Sequence, residues 1–150
     1  NQQKSAMTPK VFSLEAAHTQ DDNLVSVMMP FKAEFNSVYS ALQESTAAVG
    51  LSCVRADDIW EHHAIIQDIV TIIARARVVI CDCSGKNPNV FYEAGIAHTL
   101  GKEVILIAQS EEDVPFDLRH LRYIRYLSNR EGLASLSQAV QTRLRSIVGL

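Results

Sequence analysis

The sequence predicts one α/β domain of the flavodoxin-like class: a doubly wound, five-stranded parallel sheet of strand order 2-1-3-4-5 with helices on both faces. Three observations predict it. Strand and helix patterns alternate along the chain, which is typical of parallel sheets whose strands are joined by helices. The strand patterns are short, continuous apolar runs, as expected for strands buried on both faces. Five strands in this alternation favour the doubly wound arrangement, and 150 residues are enough to bury one core.

Each predicted strand is an apolar run that stops at a turn or at polar residues. Pro30 ends the first strand, and the polar stretch from Arg55 follows the second. The third strand is apolar apart from its ends, and Pro115 closes the polar loop that precedes the fifth. The five strands are expected over residues 24–29, 51–54, 77–83, 104–108 and 123–127.

Between the strands, apolar residues recur at spacings of three and four, the period of a helix with one buried face. Gly50 and Gly101 end two of these helices, since glycine readily takes the left-handed conformation that follows a helix. The helices are expected over residues 35–49, 65–73, 90–100 and 133–147. Residues 1–23 show no period and are predicted to be a polar leader or linker with one short helix near residues 14–18, which leaves 24–150 as the domain.

Composition limits the classes of partner and location. A formal net charge of −3 indicates neither a nucleic-acid nor an anionic-membrane surface. Apolar runs such as residues 78–81 are far shorter than the roughly 20 residues of a membrane span, and the polar N-terminal residues do not have the pattern expected of a signal peptide. We therefore expect a cytoplasmic protein. The first residue is Asn1, which is compatible with a domain cut from, or fused within, a longer chain.

The three cysteines are predicted to be reduced thiols. Their odd number and strand-like positions do not suggest a disulfide framework. Cys81 and Cys83 are separated by one residue, as alternation along a strand explains, and no second Cys pair or matching His pair completes a zinc site. We expect no metal site and no cofactor.

The predicted topology places a ligand site outside the carboxyl ends of the strands, where the first and third strands diverge. Three segments reach that edge: the turn after the first strand, residues 82–89 after the third and residues 109–117 after the fourth. Within it, the turn 84–86 with its glycine and lysine is also a weak candidate for holding a phosphate. The predicted substrate-binding residues are Met29, Pro30, Phe31, Asp82, Ser84, Gly85 and Asn89.

Two carboxylates are the candidate catalytic groups. Glu93 lies about one turn into a helix predicted to have Asn89 as its N-cap, where the helix dipole favours the ionised form. It could attack a sugar carbon, or it could complete a capping interaction. Asp68 lies on the flank of the most apolar helix, beside Ile65 and Ile72. It could be partly buried for a purpose, or it could be an ordinary solvated residue.

The segments around these carboxylates resemble the nucleoside 2-deoxyribosyltransferase superfamily. The shared pattern is an Asp on the helix before the third strand, an apolar strand, then Tyr92-Glu93-Ala94-Gly95-Ile96-Ala97 followed by Gly101-Lys102. The similarity spans residues 24–127 and is sharp only over 67–107. The stretches from Met29 to Phe31 and from Asn87 to Glu93 resemble more closely a bacterial subgroup of nucleotide-binding domains, often fused to other modules, and the TIR-like domains that cleave NAD.

The resemblance implies roles for three residues. Glu93 would attack the anomeric carbon, Asp68 would assist departure of the base, and Tyr92 would orient the nucleophile. Paired carboxylates at a glycosidic bond are chemically sensible, as in retaining glycosidases. The turn from Met29 to Phe31 and the longer, more basic turn from Ser84 depart from the small transferases, and the asparagine that those enzymes lend to a neighbouring subunit is not identified.

The expected function is therefore cleavage or transfer at the N-glycosidic bond of a nucleoside, a nucleoside monophosphate or an NAD-like nucleotide. The alternative is a non-catalytic domain that senses a nucleotide and signals to a fused or partner module. A purely structural interaction domain is a third possibility. The resemblance implies a homo-oligomer.

Overall fold

The computed structural model of the chain describes residues 8–14, 19–55 and 66–150. Across these ranges it consists of a five-stranded sheet, all of whose neighbouring strands pair in parallel, in the order β2-β1-β3-β4-β5. The strands are β1 (Asp21–Met28), β2 (Ser52–Arg55), β3 (Ala76–Asp82), β4 (Glu103–Ala108) and β5 (Tyr123–Arg125). The helices are α1 (Asn36–Ala48), α2 (Ile66–Arg75), α3 (Pro88–Thr99) and α4 (Arg130–Val148). The predicted fold class is confirmed.

The sheet is buried on both faces because its central strands are apolar on both sides. On β3, Val78 and Ile80 belong to the core beneath α1 and α4, whereas Val79 and Cys81 belong to the core beneath α2 and α3. Alternate side chains of a strand point to opposite faces, so one uninterrupted apolar run supplies both cores. The helices therefore lie in pairs on the two sides of the sheet.

Two boundaries differ from the expected ones by three residues, each for a physical reason. Strand β1 begins at Asp21, three residues before the predicted start, because its first residues are polar and hydropathy does not mark them. Helix α4 begins at Arg130 because the Asn129 side chain accepts a hydrogen bond from the Gly132 N–H at 2.7 Å. This side chain is the helix cap, and it brings polar residues into the helix.

Part of the segment predicted to be a leader is attached to the domain. The Ser13 N–H donates to Gln67 Oε1 at 2.6 Å, and Gln67 Nε2 donates back to the Ser13 carbonyl at 3.1 Å. Phe12 and Leu14 pack against the core on the α2 and α3 side. Residues 12–14 therefore contact the domain. The short helix predicted near residues 14–18 falls mostly outside the described residues.

Candidate functional site

A cleft of about 560 Å³ opens at the carboxyl edge of the sheet, where β1 and β3 diverge. This volume is in the range of small-molecule sites. Its walls are the turn after β1, the first residues of α2 and the first two turns of α3. The lining residues are Met29, Pro30, Phe31, Lys32, Ile66, Ile69, Asn87, Asn89, Val90, Tyr92 and Glu93. We call this region the Glu93 cleft.

The cap of helix α3 determines where Glu93 lies. Asn87 is the N-cap, its side-chain oxygen accepting from the Asn89 N–H at 2.9 Å, and Pro88 occupies the first helical turn. Proline suits that position because its fixed φ matches the helix and its missing N–H has no partner there. The expectation that Asn89 is the cap is therefore wrong by two residues. Glu93 consequently lies in the second turn, on the side that faces the cleft.

Glu93 is half-buried, and burial raises the pKa of its carboxyl group to about 7. Within the described ranges, its carboxylate has neither a hydrogen-bond donor nor a cation paired with it. The expected stabilisation of the ionised form by the helix end is wrong, since the dipole effect fades beyond the first turn and desolvation opposes it. Nor does Glu93 act as a capping residue, because Asn87 has that role.

Two aromatic side chains flank the mouth of the cleft. Phe31 is 59% exposed and Tyr92 is 54% exposed, although both are large and partly apolar. Met29 and Pro30 are buried and form the wall from which Phe31 projects. Exposed aromatic faces beside a cleft are suited to stacking on a planar ring. Tyr92 also borders a separate apolar groove of about 440 Å³ between α3 and residues 9–14.

A second cavity of about 370 Å³ adjoins the Glu93 cleft and is more polar. The two share Pro30, Lys32 and Asn87 in their lining. The predicted binding residues Ser84 and Gly85 line this second cavity and not the cleft itself. Its lining is completed by Glu34, Phe35, Lys86, Pro88, Gln109 and Asp113. We call it the polar cavity.

Asp82 is fully buried and lines neither the cleft nor the polar cavity. Its carboxylate accepts from the Tyr126 hydroxyl at 2.5 Å and from the Ser84 N–H at 2.9 Å. The Gln109 side-chain amide donates to the Tyr126 hydroxyl at 3.1 Å, and the Gln109 N–H donates to Ser84 Oγ at 3.0 Å. Burial raises the pKa of Asp82, although the hydrogen bonds from Ser84 and Tyr126 oppose the shift. We call these residues the Asp82 network.

The Asp82 network therefore ties the ends of β3, β4 and β5 together behind the polar cavity. The sequence placed Asp82 in the substrate pocket, and the structure does not bring it there. A carboxylate with no exposed surface and with its donors already supplied by the protein has no route to a ligand.

Asp68 is half-buried on α2 and is not part of the cleft lining. Its neighbour Ile69 does line the cleft, so the Asp68 side chain lies at the border of the site and not within it. The structure thus brings together Glu93, Tyr92, Asn89 and the turn from Met29 to Phe31. It does not bring Asp68 into the same lining.

Sequence reasoning missed several lining residues. Lys32 and Asn87 are adjacent to residues that were predicted, and a wider view of each turn would have included them. Ile66 and Ile69 were assigned only to the core. Tyr126 lines neither cavity but donates to Asp82, and it could have been suspected from its position after β5, at the same sheet edge as the other loops.

Across the part of the chain that the structure describes, no group of three or more histidine, cysteine or acidic side chains is positioned to hold a metal ion. In the same ranges, no helix combines the length and apolar character needed to cross a bilayer.

The fold and the position of the cleft define a flavodoxin-like α/β domain with its site at the strand switch point. Among solved structures, two variants of a flavo di-iron protein from Thermotoga maritima are similar to it, with TM-scores of 0.64 and 0.63 and identities of 14% and 12%. In each, 87% of this chain aligns with 37% of the other. The chain thus spans little more than a third of these neighbours, and at such identity the likeness concerns the fold alone.

No protein-family model matches the chain. No curated protein matches it in sequence either. The inferred membership of the nucleoside 2-deoxyribosyltransferase superfamily is therefore wrong: the structural neighbours are flavo di-iron proteins, and no family match supports it. A short Tyr-Glu-x-Gly motif on one helix is too little to define a family when a flavodoxin-like core accounts for the surrounding apolar pattern.

Proposed function

We propose that the Glu93 cleft binds a nucleoside or nucleotide and that Glu93 breaks its N-glycosidic bond. The observation that carries the proposal is the half-buried Glu93 carboxyl group, whose pKa is raised to about 7, in a cleft flanked by Phe31 and Tyr92. A ring stacked beside these aromatic side chains would leave its sugar facing the carboxylate. The proposal rests on this site geometry and not on family membership.

The chemistry follows from the environment of the carboxylate. In the ionised form, Glu93 attacks the anomeric carbon as the C–N bond breaks, and the bonding electrons leave with the base. A purine or pyrimidine takes up a proton as it leaves, whereas the cationic nicotinamide of NAD leaves as a neutral molecule without one. Water or an acceptor hydroxyl then attacks the same carbon and gives up its proton, and the bond between the sugar and Glu93 breaks, which releases the carboxylate. An unpartnered carboxylate suits this step, because the positive charge that develops on the sugar provides the partner that the resting site lacks.

The role of Asp68 as proton donor to the departing base stays a prediction. Its position at the border of the cleft, next to Ile69, is compatible with action on a bound base. Asp68→Asn tests this role directly, since an amide keeps the shape but cannot transfer the proton.

The second candidate function is a non-catalytic domain that senses a nucleotide. It is favoured by one observation: of the two predicted catalytic carboxylates, only Glu93 lines the cleft. A site with one carboxylate and two exposed aromatics can bind a base without cleaving it. The two candidates differ in one measurable property, the release of free base.

The names of the structural neighbours raise the possibility of a flavin, and the residues of this chain do not fit one. A flavin mononucleotide needs converging donors for its phosphate, usually backbone N–H groups at a helix start. Here the residues between β1 and the first helical turn include no Ser or Thr, and Pro30 has no N–H. A short 3₁₀ turn, Ala33–Phe35, also separates β1 from α1. We therefore derive no step through a flavin.

The test is chromatographic. The protein is incubated with ribo- and deoxynucleosides, their monophosphates and NAD, and free base is measured over time. The proposal predicts base release from at least one compound and a loss of about 10²–10⁴-fold in kcat for Glu93→Gln, the usual range for a group that takes part in the chemical step. Thermal denaturation checks that the variant is folded.

Base release that survives in Glu93→Gln would contradict the assignment of the carboxylate. Binding of these compounds without any release would favour the sensing function.

A further inference from the structure

The geometry points to a dinucleotide as the ligand class: one nucleoside in the Glu93 cleft, a phosphate at Lys32 and a second sugar in the polar cavity. This inference rests on the proposed function for the position of the glycosidic bond. The positions of the phosphate and the second sugar are inferred from separate observations, namely the shared walls and the charges of the two cavities.

The first observation is that the two cavities are neighbours and share part of their walls. Pro30, Lys32 and Asn87 line both, so a ligand seated against Glu93 can extend past these residues into the polar cavity. The cleft of about 560 Å³ and the cavity of about 370 Å³ each have the volume of a small-ligand site. A nucleoside alone would leave the polar cavity unused.

The second observation is the position of the cation. Lys32 is exposed and is the charged residue that both cavities share. A lysine ammonium binds phosphate as a point charge and does not require a cradle of backbone amides. Phosphate is the part of a dinucleotide that lies between its two sugars, which matches the position of Lys32 between the two cavities.

The third observation is the mixed charge of the polar cavity. Lys86 lines it, but so do the carboxylates of Glu34 and Asp113. Paired opposite charges do not favour a second cluster of phosphates. They do favour a group with both hydroxyl donors and acceptors, and a ribose is such a group.

The floor of the polar cavity is built for a polar ligand. Ser84 is 4% exposed and Gln109 is half-buried, and both are held by the Asp82 network. The turn above them places Gly85 and Lys86 at φ values of 76° and 57°. A left-handed lysine is uncommon and has to be held by its surroundings.

The experiment separates binding from catalysis. Calorimetric titration of the Glu93→Gln protein measures Kd for adenosine, AMP and NAD, so that no turnover intervenes. We expect NAD to bind most tightly and adenosine most weakly. The Kd of AMP should be about tenfold lower than that of adenosine, as for one charge-assisted contact at a partly exposed site. In the Glu93→Gln background, Lys32→Gln should abolish the difference in Kd between adenosine and AMP. Lys86→Gln should raise the Kd for NAD and leave the other two Kd values unchanged.

The matched control is Lys10→Gln, an exposed lysine that lines neither cavity, which should leave all three Kd values unchanged. Equal affinities for adenosine and NAD, or a difference in Kd between adenosine and AMP that persists in Lys32→Gln, would overturn the inference. The inference can fail independently of the proposed function. If the protein releases base from nucleosides but binds NAD no more tightly than adenosine, only the inference is contradicted. If the Kd values follow the expected order but the protein with Glu93 intact releases no base, only the proposed function is contradicted.

Discussion

Glu93 and Asp82 are two carboxylates near the same edge of one sheet, and burial raises the pKa of both. Their surroundings are opposite. Asp82 has no exposed surface and accepts hydrogen bonds from Tyr126 and Ser84. Glu93 lines an open cleft and has no donor among the residues that the structure describes.

The difference distinguishes a carboxylate with a structural role from one that is accessible to a ligand. A buried carboxylate whose lone pairs are filled by protein donors is fixed in place and contributes to the connection between strands. Some carboxylates are desolvated, accessible to a ligand and without hydrogen-bond donors. Such a carboxylate can interact strongly with a positively charged atom of a bound ligand. A raised pKa alone does not distinguish the two, whereas hydrogen bonding and access do.

The largest effect expected on the structural side is that of Tyr126→Phe. This change removes the hydroxyl that donates to Asp82 and leaves a buried carboxylate with one donor fewer. The free energy of unfolding, measured by urea denaturation at pH 7, should fall by about 1.5–3 kcal/mol, the range for hydrogen bonds to charged groups. The effect on kcat should be small, because Tyr126 does not line the cleft.

Tyr123→Phe is the matched control, three residues earlier in β5 and partly buried but without a hydrogen bond to Asp82. It should change the free energy of unfolding by no more than about 0.5 kcal/mol. Equal losses of unfolding free energy in the two variants would mean that the Asp82 network does not stabilise the sheet edge. Asp82 could then no longer be contrasted with Glu93 as a structural carboxylate.

A smaller effect is expected on the reactive side from Phe31→Ala. Removing an aromatic face from the mouth of the cleft should raise KM or Kd for the preferred nucleotide about tenfold, the lower part of the range for base stacking. The value of kcat should change little, since Phe31 is not proposed to touch the reacting atoms. Phe116→Ala, at a side chain 81% exposed and away from the cleft, serves as control. Identical KM values for the two variants would remove the stacking role.

The fold was predictable because apolar runs of strand length leave few alternatives. The run through Val78, Val79 and Ile80 can only be a strand buried on both faces, and the order of such runs predicts the sheet. The start of β1 was not predictable from hydropathy, since Asp21 joins the sheet through backbone pairing with Ala76. The Asn129 cap of α4 was in the sequence and would have moved that boundary correctly.

The site was predictable only as far as topology determines it. The turn from Met29 to Phe31 follows from the rule that ligands lie at the switch point. Glu93 was instead singled out by its place near a helix start and by the resemblance. The burial of Asp82 behind the site could not be predicted in this way, because its partner Tyr126 is 44 residues away and no local pattern connects the two. Likewise, the distance of Glu93 from the helix end depended on whether Asn87 or Asn89 formed the cap.

The pH dependence of stability follows from the Glu93 pKa. Burial raises it above 4.5, the value expected in the unfolded chain, to about 7. Between these values the folded state holds a proton that the unfolded state has lost, so the contribution of Glu93 to stability falls as pH rises through this window. Base release, which needs the ionised form, should instead rise with pH through about 7.

The most direct measurement of the central claim is a ¹³C NMR titration of glutamate side-chain carboxyl groups, with the Glu93 signal assigned by its absence in Glu93→Gln. The account predicts a midpoint of about 7 for Glu93. A midpoint near 4.5 would show that the carboxylate is solvated or paired in solution, and would contradict its role as the desolvated, unpartnered group of the cleft.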